Sequence, residues 1–182
     1  PDGESNWLTS FNLTNTLNVD STASSELIVD TETSQLNLVY ARGLPQDWML
    51  RLQFSISHHS AGFLDSWIYD YHDLFGLKQG DREYVADDQF RIMVSDNNNT
   101  LIDLQTSQTG MADTQIQLGK QISNRNDSAT SIWASIKLPT GDSARLTGSG
   151  HTDIALWLAT QQHSSESIWL HAQLGGLYMS DT

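Results

Sequence analysis

Cysteine is absent from the 182 residues. That single absence removes zinc ribbons, iron–sulfur clusters, thiol nucleophiles and disulfide scaffolds together. It fits an oxidising periplasm or outer membrane, where a stray thiol is a liability, without fixing a compartment. Positive charge is nearly as scarce. Nine Lys plus Arg stand against 22 Asp plus Glu, a net charge of −13. A nucleic-acid partner would need a basic footprint, and none is present. Polybasic attachment to anionic lipid is disfavoured for the same reason. Long apolar runs are also missing, and none approaches the ~20 residues of a membrane helix. A membrane β-barrel needs no such run. No signal peptide is recognisable and the chain starts at Pro1, so a processed product or a fragment is expected.

Charged residues make up only 17% of the chain and apolar ones 38%. Ser, Thr, Asn and Gln fill the gap, which favours strands and turns over long solvated helices. The length suits one domain with a real core.

Alternation of period two dominates the chain. Trp7, Phe11, Leu13, Leu17 and Val19 share one face, with Ser10, Asn12, Thr14 and Thr16 on the other. Two runs follow, Leu27/Val29 and Leu36/Leu38/Tyr40. Their phases differ, so a bulge or tight turn is expected near Asp30–Ser34. Gly43–Asp47 reads as a hairpin connection. Trp48, Leu50, Leu52, Phe54 and Ile56 then face one way, and Met49, Arg51, Gln53, Ser55 and Ser57 the other. A sandwich strand gives this pattern, and so does a barrel strand with lipid outside and water inside.

From Leu64 the period changes. Leu64, Trp67, Ile68, Tyr71 and Phe75 recur at helical spacing and Gly76 follows as a stop, which predicts a short helix over 64–75. A charged loop is expected over Gly80–Asp88. Strands are expected at Phe90–Val94, Leu101–Leu104 and Gln115–Ile122, with turns at Asp96–Asn99 and Asn124–Ser128. In the next strand Ile132, Ala134, Ile136 and Leu138 alternate with Ser131, Trp133, Ser135 and Lys137. Pro139–Asp142 ends it and Gly148–Gly150 opens another, which runs through Ile154, Leu156 and Leu158 to Thr160. Gln161–Ser165 reads as a polar turn. The last strand carries Ile168, Leu170, Ala172 and Leu174 and weakens at Gly175-Gly176. Consecutive strands with short polar turns make an antiparallel meander. Trp7, Trp48, Trp169 and Tyr178 lie near strand ends, where an interfacial girdle would place them.

Two stretches carry a resemblance: LDSWIYDYHDLFGLKQGDR (64–82) and IKLPTGDSARLTGSGHTDIALWLA (136–159). The second resembles a hairpin recurrent in Gram-negative outer-membrane barrels, including the family linked to meta-cleavage phenol degradation. Together the two resemble more closely an uncharacterised bacterial family regarded as outer-membrane barrels, over roughly residues 26–178. The resemblance implies a structural motif made of Asp65, Tyr71, His72, Asp73, Phe75, Gly76, Arg82, Pro139, Gly141, Asp142, Gly148, Gly150 and Asp153, and no catalytic residue. Complete barrels of this kind usually close on a terminal aromatic strand, whereas this chain ends Gly-Leu-Tyr-Met-Ser-Asp-Thr. Later strands are therefore expected to be missing.

The hairpin also has its own physics. Pro139 donates no ladder hydrogen bond and so marks a strand end. Gly141, Gly148 and Gly150 accept unusual backbone angles. Asp142 and Asp153 can accept turn hydrogen bonds.

Chemistry, if present, is expected around His58-His59-Ser60 and the helix. His59, Ser66 and Asp65 have the residue types of a hydrolase relay on a barrel wall, which would act on lipid. His58, His59, Asp65 and His72 have the types of a metal set, but no His-x-x-x-His or Glu-x-x-His spacing supports it. The preferred reading is structural. The helix is too short to stand alone in water and must dock by its apolar face, capping a barrel end or lying at the lipid interface. His72 and Asp73 are expected to pair with loop groups such as Arg82.

The fold expected is all-β, an up-and-down antiparallel meander forming part of a membrane β-barrel, with one helical insertion. The function expected is that of a bacterial outer-membrane protein, a narrow pore or transport-related, in contact with outer-membrane lipid and a small-molecule solute. A lipid hydrolase and a soluble secreted β-sandwich are the alternatives. No cofactor is expected.

Overall fold

The computed structural model describes residues 2–80, 82, 86–97, 99–165 and 167–180. Strand β1 (Ser5–Ser21) turns into β2 (Glu26–Leu44) and then β3 (Trp48–Ser60). Helix α1 (Asp65–Phe75) follows. Then come the short strands β4 (Arg91–Asp96), β5 (Asn99–Leu104) and β6 (Gln108–Met111). The long strands resume with β7 (Thr114–Arg125), β8 (Ser128–Leu138), β9 (Asp153–Ser165) and β10 (Ile168–Met179). All strands join one antiparallel sheet curled into a half-barrel. This is a single sheet, not the two packed sheets of a sandwich.

The long strands run in the order β10-β9-β8-β7-β3-β2, with β1 on the other edge of β2. At their lower ends β2 and β3 take different partners. Glu26–Asp30 of β2 pairs with β4, which pairs with β5, and Ile56–His59 of β3 pairs with β6. The opposite end is made of tight turns. At the β2–β3 hairpin Gln46 and Asp47 have φ of 59° and 62°. Two successive left-handed residues match the right-handed twist of the strands they join. We call this the hairpin end, and the other the helix end.

The register converts alternation into two surfaces. One row across the sheet reads Trp7, Tyr40, Leu52, Ile116, Ile136, Ile154 and Tyr178, every member apolar or aromatic. It lies on the convex face. The neighbouring row on the concave face reads Asn6, Ala41, Arg51, Gln117, Ser135, Ala155 and Leu177. Curling crowds the concave side chains and spreads the convex ones. Asn37, Ser55 and Ser57 are consequently buried, while Leu36 and Ile56 beside them are exposed. Among the described residues Ile92 is the one buried large hydrophobic, whereas Trp7 is 60% exposed and Leu156 56%. The apolar surface of this protein is on its outside.

Several boundaries differ from the sequence reading. Strand β2 has no bulge or turn at Asp30–Ser34, and its register with β1 runs unbroken from Glu26 to Arg42. The phase change is real, but it marks a change of environment. Leu27 and Val29 occupy the concave-side positions beside Ile92 and Val94 of β4, while Asp30 and Glu32 point to the convex side, where α1 covers them. Gln161–Ser165 continues β9, because polar residues beyond the apolar band still pair with β10. Gly175 and Gly176 lie within β10, paired with Trp157 and Leu156. Gly148–Gly150 belongs to a loop, and β9 begins at Asp153. Strand β6 gave no periodic signal because it is four residues long. In the expected 80–88 loop, Asp81 and residues 83–85 lie outside the described residues, as does Asn98 in the turn before β5.

Candidate functional site

Helix α1 starts after Gly62, which has φ +75°, and Glu32 caps it. The Glu32 carboxylate accepts the Phe63 and Leu64 amides at 3.2 and 3.0 Å. The Leu64 amide, at the N-cap, is one of those a helix start leaves unpaired, and Phe63 is the residue before it. Gly76 ends the helix in the left-handed region, φ 63°, and its amide and that of Leu77 bond back to Asp73 and His72.

The helix docks by polar groups, contrary to the apolar contact expected. Asp65 is buried on the convex side of β1 and β2. It accepts Asn15 Nδ2 at 2.9 Å, Arg82 Nη1 at 2.6 Å and the Asp88 amide at 2.8 Å. Burial pushes its carboxyl up, but these three donors outweigh burial and hold it below the usual carboxylate range. Tyr69 donates to the Arg82 carbonyl. The aromatic ridge is what faces away: Trp67 stacks on Tyr71 at 6.2 Å, and Tyr71 packs on Phe75 at 4.8 Å. Trp67, Phe75 and Leu74 are all exposed. Arg82 pairs with Asp65 and Asn15 rather than with His72 or Asp73. Asp73 accepts Gln79 instead, and His72 Nδ1 is buried with no partner among the described residues.

The second cluster ties the β8–β9 loop down. Asp113, between β6 and β7, accepts the amides of Gly141 at 3.0 Å and Ser149 at 2.8 Å, and the Ser149 hydroxyl at 2.8 Å. Lys137 lies 3.6 Å from Asp113 and is also paired with Asp153. Burial raises the Asp113 carboxyl, and the Ser149 and Gly141 donors with Lys137 more than reverse this. Gly141 and Gly148 pass so closely that a Cβ on Gly148 would sit 2.5 Å from Gly141 Cα and from Asp113 Oδ1. Asp142 caps a 3-10 turn, Ser143–Arg145, by accepting the Ala144 amide at 2.9 Å.

The loop is thereby folded over the concave face. Thr147 is buried against Gly110, where a Cβ would meet its hydroxyl at 2.8 Å. His59 receives or gives a hydrogen bond with Thr33 Oγ1 at 2.8 Å, and its Nε2 lies 3.3 Å from the Leu146 carbonyl. A carbonyl only accepts, so Nε2 carries a proton, and in the neutral ring Nδ1 then accepts from Thr33.

Toward the hairpin end the concave face opens into a groove of about 900 Å³. The concave row Met49, Gly119, Trp133, Trp157 and Gly175 runs into it, and Met49, Gly119 and Trp133 line it. The Trp133 and Trp157 rings are nearly parallel, 9° apart, with centroids at 5.9 Å. Trp133 Nε1 donates to Ser131 Oγ at 2.9 Å.

A family pattern matches the chain over residues 1–182. The chain belongs to the DUF3187 family, described as a protein of unknown function. Comparison with curated proteins and with solved structures gives no match.

In this DUF3187 chain the sequence candidates are dispersed. His59 faces the concave side with both ring nitrogens engaged, while Asp65 is held on the convex side and Ser66 is exposed on α1. His58 projects to the opposite face from His59 and meets Thr109 Oγ1 at 2.7 Å. Among the described residues no group of three His, Asp or Glu is arranged to hold a metal. Gly141 and Gly148 do meet at Asp113, which Lys137 links to Asp153 and which sequence reasoning missed, while Asp142 serves the loop's own 3-10 turn. An isolated Asp before a strand gives no periodic signal. The Trp133–Trp157 pair was also missed, although an aromatic on the polar side of an alternating strand was its signal.

Proposed function

We propose that this DUF3187 chain is an outer-membrane β-barrel protein whose concave face lines a narrow aqueous passage. The observation that carries the reading is the convex row Trp7–Tyr40–Leu52–Ile116–Ile136–Ile154–Tyr178, uninterrupted from β1 to β10. An exposed apolar surface of that extent on a water-soluble protein would drive association. Facing hydrocarbon, it is stabilising. The apolar run Trp48–Ile56 has the length of a tilted spanning strand, ~9–11 residues. Tight turns at one end and long connections at the other match the asymmetry of such barrels. The ridge Trp67–Tyr71–Phe75 on the convex side suits headgroup level. The likeness of the Lys137–Asp142 hairpin to barrel families supports the same reading. The β8–β9 loop, folded over the concave face, would narrow the passage and select small solutes.

The test is made on the full-length protein in a Gram-negative host. It is expected in the outer-membrane fraction, with gel migration that changes on boiling and with flux of a small neutral solute in liposomes. A protein fully soluble without detergent that keeps its β signal would sink the proposal.

A further inference from the structure

We infer that the concave groove at the hairpin end is a binding site for neutral sugars, with Trp133, backed by Trp157, as its stacking platform. The inference rests on the reading of the concave face as a water-filled surface. Most aromatic side chains of the long strands lie on the convex face, but these two indoles stand side by side on the concave one, half-exposed. Their ring centroids are 5.9 Å apart and the rings nearly parallel, so Trp157 backs Trp133 by offset stacking and fixes the plane of its ring.

The patch is built before any ligand arrives. Trp133 lies over Gly119, where a Cβ would come within 2.7 Å of three ring atoms. Ser131 fixes the other degree of freedom by accepting the indole N–H. Glycine at position 119 is therefore a requirement of the ring's position. Covering a glycine with a neighbouring aromatic would serve the sheet alone. It does not account for the second indole, nor for what surrounds the pair.

The groove's walls carry Gln121, Ser131, Gln161, His171 and Gln173 beside Trp133, and Asp2 and Asp47 line it as well. The amides and the hydroxyl are donors and acceptors around the indole, and the two carboxylates accept from hydroxyl groups. Lys120, also in the wall, is occupied by the Gln46 carbonyl and the Trp48 ring. Arg51 lies in the next row, two strands from Trp133. An anionic ligand therefore meets two carboxylates, and no free cation among the described lining residues. A pyranose fits. Its axial C–H face is weakly positive and lies on the negative face of an indole, while its ring hydroxyls reach outward to amides and a hydroxyl. A simple planar aromatic would use the indoles and leave the amide rim unused.

The experiment is titration of the full-length protein in detergent micelles with glucose and with maltotriose, read by tryptophan fluorescence and by saturation-transfer NMR. Saturable binding is expected, tighter for maltotriose, with ring C–H protons receiving the transfer. Trp133→Leu and Trp157→Leu should each weaken binding about tenfold, with heat-modifiable migration unchanged. Gly119→Ala, which displaces the ring without removing it, should weaken binding less. No saturable sugar binding by the wild type would overturn the inference. So would undiminished affinity in both Trp variants, or Trp-dependent binding of benzyl alcohol but not of sugar. Solute flux in liposomes is measured on the same proteins. Loss of sugar binding with flux intact removes only the sugar site, whereas absent flux and absent membrane fractionation remove the passage reading itself.

Discussion

Near the hairpin end β2 turns Leu36, Leu38 and Tyr40 to the convex side and Asn37 to the concave side; near the helix end the same strand turns Asp30 and Glu32 convex and Leu27 and Val29 concave. The backbone does nothing unusual between them. What changes is the medium each face meets. In the upper region the convex face is bare, so apolar residues suit it only where hydrocarbon replaces water. In the lower region α1 and Arg82 cover that face, where Glu32 accepts the Phe63 and Leu64 amides and Asp65 pairs with Arg82. The concave side there packs β2 against β4 around Ile92. Stability in the upper region thus depends on the surroundings, and in the lower region on internal pairing.

The two regions should fail differently. The largest effect is expected for Arg82→Ala, which leaves Asp65 buried without its cation, a loss of roughly 3–5 kcal/mol. It should undock α1 while the long strands stay paired, so limited proteolysis should cut near 61–90 with heat-modifiable migration unchanged. Next is Leu156→Arg, a charge in the middle of the convex band, worth about 2–4 kcal/mol if that band faces hydrocarbon. Assembly into liposomes should fall, whereas Ser135→Arg on the concave side should assemble nearly normally. Equal assembly of the two variants would erase the distinction between the faces. Gly148→Ala comes third. Its Cβ meets Gly141 and Asp113, an overpacking worth about 1–3 kcal/mol, and the β8–β9 loop should loosen without loss of the sheet. Enhanced hydrogen exchange confined to 139–152 is the expected result.

Acid gives the smallest effect. Asp65 and Asp113 are held below the ordinary value of 3.8 in the folded protein. Their contribution is fully present above that value and is lost as pH falls through the lower folded values. Protection of the 139–152 loop should therefore hold from pH 7 to about pH 4 and change only below it, with the convex band unaffected. A loop transition near pH 6 would contradict this assignment of Asp113.

The fold class was legible because alternation fixes which residues share a face, whatever the strand pairs with. Trp48–Ile56 announced β3, and the change of period at Leu64 with Gly76 after it announced α1 to within one residue. The false turn in β2 came from reading a change of phase as a change of backbone. The candidate site was less legible. The Lys137–Asp153 motif was visible as a unit, but its centre, Asp113, comes from elsewhere in the chain. The helix was expected to dock by its apolar ridge. Instead it docks by Asp65, because Asn15, Arg82 and the Asp88 amide converge there from distant positions.

By itself, then, the sequence determined the local geometry: strands wherever polar and apolar residues alternate, one helix where the spacing changes, tight turns where the backbone goes left-handed. These depend on neighbours within a few residues. Only the tertiary structure decided which face of each strand is convex, that the apolar face is the bare one, and that two tryptophans from different strands stack on the concave side. Those outcomes depend on register and on the direction of curl, and both are set by contacts between residues far apart in the chain.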